Sequence, residues 1–180
     1  MPRVMAGSTA RDFTSPFATQ RRVCAQYDGC FVHNNILGAN MLGLMQSQPL
    51  LISSLIEFAE RHHGDAEIVS RRVEGDIHRY TYRDLAARAR RLANALDAQQ
   101  LQFSDRVATL AWNGYRHMEM YFGVSGSGRV LHTINPRLHP DQIAWIVNHA
   151  EDQVLCFDMT FLPLVQAVHA KCPTVKQWVP

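Results

Sequence analysis

The sequence predicts an α/β protein whose mostly parallel sheet is covered by helices on both faces. Short β-prone runs alternate with helical segments, and this is the pattern of repeated strand–helix units. The strands are largely apolar throughout, as strands buried on both faces are. A composition of 47% hydrophobic and 19% charged residues indicates a folded globular chain, and 180 residues can enclose a sizeable core.

The first predicted elements are a helix and a β-hairpin. Apolar residues recur at helical spacing over Leu50–His62. Two β-prone runs, Glu67–Val73 and Asp76–Tyr82, flank a turn at Gly75. We therefore expect an antiparallel pair of strands after this helix.

The next helix is predicted from its start signal. Thr81-Tyr-Arg-Asp84 has the form of a capping box, in which the threonine hydroxyl accepts an amide hydrogen and the acid favours the positive end of the helix dipole. One face of this helix is apolar, and the opposite face is expected to be solvated. The apolar positions are Leu85, Ala86, Ala89, Leu92, Ala93 and Leu96, and the polar face carries Arg83, Arg88, Arg90 and Arg91.

The remainder alternates regularly between strands and helices. Pro140 near the first position of a helix and Asp141 in its first turn are both favourable there. The predicted strands are Arg106–Trp112, Arg129–Ile134, Gln153–Phe157 and Val175–Val179, and the predicted helices are Tyr115–Ser125, Pro140–Ala150 and Phe161–Ala170.

Residues 1–40 differ in composition from the rest. They contain four arginines and two aspartates without clear periodicity, which fits an organelle transit peptide poorly. We expect a poorly structured N-terminal extension over 1–40, or a start codon assigned upstream of Met41. Residues 41–180 would then form the folded part, in which fourteen basic residues balance fourteen acidic ones.

The charge distribution and the cysteine spacing argue against several classes of protein. A net charge of +2 without basic clusters does not indicate nucleic-acid binding. Polar residues interrupt the most apolar stretch, so no membrane span is expected. Four cysteines without a CxxC pair favour a reduced, cytoplasmic chain over a zinc or disulfide protein.

Glycines at Gly123, Gly126 and Gly128 raise the question of a phosphate loop. A dinucleotide fingerprint follows a strand and opens a helix, whereas these glycines close a helix and lead into a strand. Helix capping and close packing are therefore the favoured interpretation. The spacings of the histidines and of Ser125 do not predict a metal site or an esterase-type nucleophile, and the pair Glu151-Asp152 indicates no catalysis by itself.

The loop after the predicted strand Arg129–Ile134 is the best candidate for a site. Ligands of open α/β sheets bind beyond the carboxyl ends of the strands, where Asn135-Pro136-Arg137 lies. Pro136 restricts Asn135 to an extended conformation, and Arg137 could offer its guanidinium to a phosphate or carboxylate. The alternative is a rigid surface turn with a solvated arginine.

Several motifs of residues 41–180 resemble the opening of the adenylate-forming acyl-CoA synthetases, in particular medium- and long-chain fatty acid–CoA ligases. The motifs occur in the family's order. They are Tyr80-Thr-Tyr-Arg-Asp-Leu85, Asp105-Arg-Val-Ala108 with Asn113, Gly123–Leu138 ending in His-Thr-Ile-Asn-Pro-Arg-Leu, His149-Ala-Glu-Asp152 and Asp158.

The resemblance implies a two-step reaction. A carboxylate attacks the α-phosphate of ATP, with magnesium, to give an acyl-adenylate and pyrophosphate, and the thiol of coenzyme A then displaces AMP. The family's Thr/Ser/Gly-rich phosphate loop and catalytic lysine are not in this chain. By position, the resemblance suggests Thr133, Asn135, Pro136 and Arg137 as contacts with coenzyme A.

Two departures from the family pattern stand out. A turn that is usually glycine-rich reads Gln99-Gln-Leu-Gln-Phe-Ser104, which loses the freedom for positive φ. Arg129 stands where the family usually has alanine, and a cation at the start of a buried strand needs a partner. Both changes would fit relaxed selection on a truncated copy, or a simple sequence error, and not a well-tuned enzyme.

We therefore expect the N-terminal part of a fatty acid–CoA ligase, inactive alone and without a cofactor of its own. The alternative is a non-catalytic module that forms a homo-oligomer or pairs with a complete synthetase.

Overall fold

A computed structural model describes residues 49–180, and the extension predicted over 1–40 lies outside this range. The described part begins with a helix and a hairpin and continues as alternating helices and strands. The helices are α1 (Ile52–His63), α2 (Tyr82–Ala98), α3 (Tyr115–Ser125), α4 (Pro140–His149) and α5 (Leu162–Val168). The strands are β1 (Glu67–Arg71), β2 (Ile77–Thr81), β3 (Arg106–Leu110), β4 (Val130–Thr133), β5 (Val154–Phe157) and β6 (Gln177–Val179), and short 3-10 turns flank α5 at Met159–Phe161 and His169–Lys171.

The predicted α/β class is confirmed. Strands β1 and β2 pair antiparallel as the predicted hairpin. The other four strands form a parallel sheet in the order β4-β3-β5-β6, with β3 and β5 in the middle. No described helix combines the length and apolar character needed to cross a membrane.

Helices cover the two faces of the parallel sheet with separate apolar clusters. On one face, Ile143 and Val147 of α4 and Val165 of α5 pack on residues of β3 and β5. On the other face, Leu96 of α2 and Val124 of α3 pack on the sheet. A third cluster joins α1, the hairpin and the first half of α2. Because parallel strands joined by right-handed crossovers receive their helices on opposite faces, both faces of β3 become buried.

Helix α2 begins as predicted, and most of its arginines are exposed. Thr81 and Asp84 make the reciprocal capping-box hydrogen bonds. Three of the arginines pair with acids on other elements: Arg83 with Asp65, Arg88 with Glu119 and Arg90 with Glu60. The expected solvated face is confirmed for Arg83, Arg88 and Arg91, which are exposed, whereas Arg90 is half-buried.

One acid of the pair Glu151-Asp152, which follows α4, is buried. Asp152 is fully buried and its carboxylate oxygens lie 3.0 and 2.9 Å from His132 Nδ1. Burial raises the pKa of Asp152, and the contact with His132 opposes that rise. This contact joins edge strand β4 to the segment that enters β5. His132 lies within the predicted strand Arg129–Ile134 and keeps a quarter of its side chain exposed.

The turn between α2 and β3 is strained where the sequence lacks glycine. Gln100 has φ of 61° and Ser104 has φ of 67°, a region that L-residues other than glycine adopt at a cost. Arg129 holds this turn: its Nη2 donates to the carbonyl of Leu101 and to Asp97 Oδ1, each at 2.6 Å. The arginine is 7% exposed, so the partner that its burial requires is present.

We predict that Gln100→Gly and Ser104→Gly each stabilise the chain by about 1 kcal/mol, because glycine relieves the cost of positive φ. Urea unfolding of each variant at pH 7 measures the difference. Gln99→Gly is the matched control: Gln99 has φ of −83°, so glycine there should destabilise. Equal effects at Gln99 and Gln100 would contradict the prediction.

Candidate functional site

The order of the parallel strands defines where a ligand crevice can form. From β3 the chain crosses to β4 on one side and then to β5 on the other. The loops that leave β3 and β5 therefore diverge, and open α/β sheets bind ligands at this switch point beyond the carboxyl ends of the strands. The sequence alone does not reveal the strand order, so it did not identify this position.

Asp158 connects the two loops at the switch point. It directly follows β5, and its Oδ2 accepts the backbone N–H of Trp112 at 2.7 Å. The Trp112 indole in turn donates to Thr160 Oγ1 at 3.0 Å and packs against Phe161. The loop after β3 is thus held to the loop after β5 by a charged hydrogen bond and an aromatic contact.

A cavity of about 660 Å³ opens beside these loops, on the α2–α3 side of the sheet. Its floor comes from the ends of β5 and β6, and its walls come from α2, α3 and the loop after β1. The apolar lining includes Leu92, Ala111, Met120, Cys156, Phe157 and Val179, and the polar lining consists of Glu74, Arg116, His117, Glu119 and Asp158.

His117 is the most unusual polar group of this cavity. Its side chain is in the first turns of α3 and is 6% exposed. Nε2 lies 3.2 Å from Oγ1 of the fully buried Thr109, and Nδ1 has no hydrogen-bond partner. Burial lowers the pKa of His117, while the charge of Asp158 opposes this effect, so the imidazole is neutral at pH 7.

The charged groups of the cavity are paired within the chain. Glu74 Oε1 accepts from Arg116 Nη2 at 2.7 Å, and Glu74 Oε2 from Arg72 Nε at 3.3 Å. Hydrogen bonds from Arg116, from its own backbone and from Arg72 lower the pKa of Glu74 to about 2. Across the cavity, Glu119 Oε1 accepts from Arg88 Nε at 2.6 Å.

The cysteine of the lining is not an activated nucleophile. Burial raises the pKa of the Cys156 thiol to about 12, so this group is protonated at neutral pH and is a poor nucleophile. Nε2 of His117 is occupied by Thr109, and its Nδ1 is buried. The cavity wall combines apolar side chains with polar ones that already have partners within the chain.

The predicted site residues lie elsewhere, at the carboxyl end of edge strand β4. Asn135 Oδ1 accepts the backbone N–H of Arg137 at 3.0 Å, which closes an Asx turn around Pro136. The side chains of Thr133, Asn135 and Arg137 are exposed, and none of the four residues lines the cavity. The structure thus brings these residues together in one turn but separates them from the switch point.

The match to known proteins covers most of the chain. The family model of the AMP-binding enzymes matches residues 55–178. The chain belongs to the AMP-binding enzyme family. It is the N-terminal part of that architecture, and its relatives include acyl-CoA ligases.

Two curated relatives illustrate the similarity. The chain is 54% identical over 139 residues to the 3-methylmercaptopropionyl-CoA ligase of Ruegeria lacuscaerulensis, and 49% identical over 139 residues to the medium-chain fatty acid–CoA ligase of Ectopseudomonas oleovorans. Each alignment covers 77% of this chain and 26% of the relative. The chain therefore spans about a quarter of the length of these relatives.

Solved structures show the same fold. A fatty acyl CoA synthetase of Mycobacterium tuberculosis superposes with a TM-score of 0.62 at 24% identity, over 72% of this chain and 26% of the other. The anthranilate CoA ligase AuaEII superposes with a TM-score of 0.64 at 20% identity, over 74% and 26%. At sequence identities of 20% and 24%, these superpositions support a shared fold.

We predict that protonation of His117 weakens the fold. Its pKa is lower in the folded chain than in the unfolded chain, so the unfolded chain binds the proton more tightly, and stability present above pH 6.5 is lost as the pH falls towards the folded pKa. His117→Gln should flatten the decline of the free energy of unfolding below pH 6.5. Urea unfolding of both proteins at several pH values measures this, and parallel pH profiles would contradict it.

Proposed function

We propose that this chain is the N-terminal part of an ATP-dependent ligase that joins a medium- or long-chain fatty acid to coenzyme A. The observation that carries the proposal is the alignment over 77% of the chain with proteins named as CoA ligases, at 49–54% identity. In this reaction the fatty acid carboxylate attacks the α-phosphate of ATP and releases pyrophosphate. The thiol of coenzyme A then attacks the acyl carbon and releases AMP.

The chain supplies part of the fold for this reaction and lacks the residues that would bind and activate the phosphates of ATP. The Thr/Ser/Gly-rich phosphate loop and catalytic lysine that the resemblance implies are not in the sequence. Within residues 49–180 no three His, Cys, Asp or Glu side chains converge to bind a metal, so we assign no magnesium ligand to them. We infer that residues 1–180 alone do not catalyse adenylate formation.

The turn Thr133–Arg137 is proposed to contact coenzyme A. It lies at the carboxyl end of a parallel strand, and the Asx turn fixes Asn135 relative to Arg137. Arg137 is exposed and forms no ion pair within residues 49–180. A free guanidinium on a rigid turn suits a phosphate, which coenzyme A carries.

A second candidate is an interaction module that associates with a complete synthetase or with itself. The large, mainly apolar cavity at the end of the sheet favours this candidate, because contiguous apolar surface is often an interface.

We predict that purified 1–180 shows no ATP–pyrophosphate exchange with octanoate or palmitate. Joining residues 1–180 to the polypeptide that follows the matched region in the Ruegeria lacuscaerulensis ligase should yield a chain that forms acyl-CoA. Exchange by 1–180 above a no-enzyme control would falsify the first statement. A folded but inactive joined chain would contradict the proposed ligase function.

In this joined chain, Arg137→Ala should raise the KM for coenzyme A about tenfold, since a hydrogen bond to a charged group contributes about 1.5 kcal/mol. The KM for ATP should not change. Arg91→Ala, which removes an exposed arginine from α2, is the matched control. Equal increases in both variants, or an equal effect on ATP, would argue against the contact.

A further inference from the structure

We propose that His132 is a positioning residue for the coenzyme A step of the proposed reaction: through its contact with Asp152 it holds the turn Thr133–Arg137 in place for the ligand. The inference rests on the proposed function, because it takes this turn as the contact with coenzyme A. It assigns roles to two side chains outside the turn, neither of which touches the ligand.

The turn continues from an edge strand. In the sheet formed within residues 49–180, β4 pairs with β3 on one side and has no strand on the other. The residues of β4 are exposed or half-buried, whereas four of the five residues of β3 are buried. A strand with one neighbour and little burial opens easily, so side-chain contacts at its carboxyl end decide how firmly the turn is held.

Two side chains anchor the root of the turn on the face covered by α4. The backbone N–H of Ile134 donates to the carbonyl of Thr109 at 2.9 Å, and the Ile134 side chain is buried in the cluster below α4. His132 precedes Ile134 by two residues and therefore faces the same side of the strand. Its Nδ1 lies 3.0 and 2.9 Å from the two carboxylate oxygens of Asp152. The apolar anchor tolerates small shifts, whereas the hydrogen-bonded one fixes the direction of the ring.

Asp152 is a stationary partner because the end of α4 holds it. The N–H groups of Glu151 and Asp152 donate to carbonyls of the last turn of α4, each at 3.1 Å, in the pattern of a Schellman motif. Glu151 takes the left-handed conformation of this motif, with φ of 54°. Arg106 of β3 supports it: Nη2 donates to Glu151 Oε2 at 2.8 Å, and Nε donates to the carbonyl of Ala150.

The burial of Asp152 makes a partner necessary. The carboxylate is fully buried, and a buried charge needs a hydrogen bond or an opposite charge. Burial raises the pKa of Asp152, and the contact with His132 and the charge of Arg106 oppose that rise. The Cys172 thiol lies on the remaining side, where the charge of Asp152 helps to raise its pKa. Because Arg106 binds Glu151, His132 is the side chain that gives Asp152 its hydrogen bond.

The contact ties together the two ends of the connection between β4 and β5. His132 stands before the turn and Asp152 after α4, and β3 lies between the strands that they flank. Strand β4 and helix α4 are thereby fixed to each other, and the turn that joins them keeps its orientation. An apolar pair of the same size is often as stable as a buried ionic one, so the specific gain from this pair is its geometry. A turn ordered in advance lowers the entropic cost of binding coenzyme A.

The joined chain allows the two steps of the reaction to be measured separately. ATP–pyrophosphate exchange reports adenylate formation, which does not use coenzyme A, and acyl-CoA formation reports the second step. His132→Leu should raise the KM for coenzyme A about fivefold, the effect of one net hydrogen bond, and leave the exchange rate unchanged. His132→Asn, whose amide N–H can stand near the place of Nδ1, should retain the original KM.

Leu131→Ala is the matched control. Leu131 adjoins His132 on β4 and packs on the cluster of the opposite face, so its loss loosens the strand without touching Asp152 and should affect both steps alike. His132→Leu leaves a buried carboxylate without its hydrogen bond, and adding Asp152→Leu removes that charge. The folded double variant should show the same rise in KM. An unchanged KM in the double variant, or equal losses in both steps for His132→Leu, would overturn the inference.

A measurement on residues 1–180 separates this inference from the proposed function. Exchange of the Ile134 amide hydrogen, followed by NMR, should be faster in His132→Leu relative to the amides of β5, because the turn loses its directional anchor. Unchanged exchange would overturn the positioning role even if the joined chain is active. A folded but inactive joined chain would overturn the ligase function and with it the link to coenzyme A, while faster exchange would still support His132 as the anchor of the turn.

Discussion

Burial of β3 on both faces is the constraint on which the rest of the described fold depends. The side chains of Val107, Ala108, Thr109 and Leu110 are all fully buried. A strand in that position needs a parallel neighbour on each side and a helix layer above and below it. The crossovers through α3 and α4 satisfy both needs by running over opposite faces. The same arrangement makes the loops after β3 and β5 diverge, and the switch-point crevice is its direct consequence.

The one hydroxyl within this buried run links the core to the cavity. Thr109 cannot leave its oxygen unpaired in an apolar interior, and His117 supplies the partner. That contact occupies Nε2 of the imidazole, while Nδ1 is buried without a hydrogen-bond partner. The buried strand thus fixes the position of the imidazole on α3.

Patterns among neighbouring residues predicted the helices and strands well, because such patterns act over short distances along the chain. The capping box at Thr81 and the proline at position 140 act within one turn of helix, so they are readable from adjacent residues. The strand starts fall within two residues of the predicted ones, and one difference has a long-range cause. Arg129 is not part of β4, since its guanidinium turns back to Asp97 and Leu101, contacts that are distant in sequence. The switch point was missed for the same reason, because strand order is a long-range property; polar residues after two strand ends, Asn113 and Asp158, were the available signal.

The two departures from the family pattern depend on each other physically. A turn without glycine places Gln100 and Ser104 at positive φ, and such strain persists when neighbouring contacts hold the backbone. Arg129 provides those contacts, since it binds a carbonyl within the turn and a carboxylate just before it. An alanine at this position could do neither. The arginine and the non-glycine turn therefore form one structural unit, in which the buried cation gains its partners from the segment that it holds. The two departures are therefore explained together by one set of contacts.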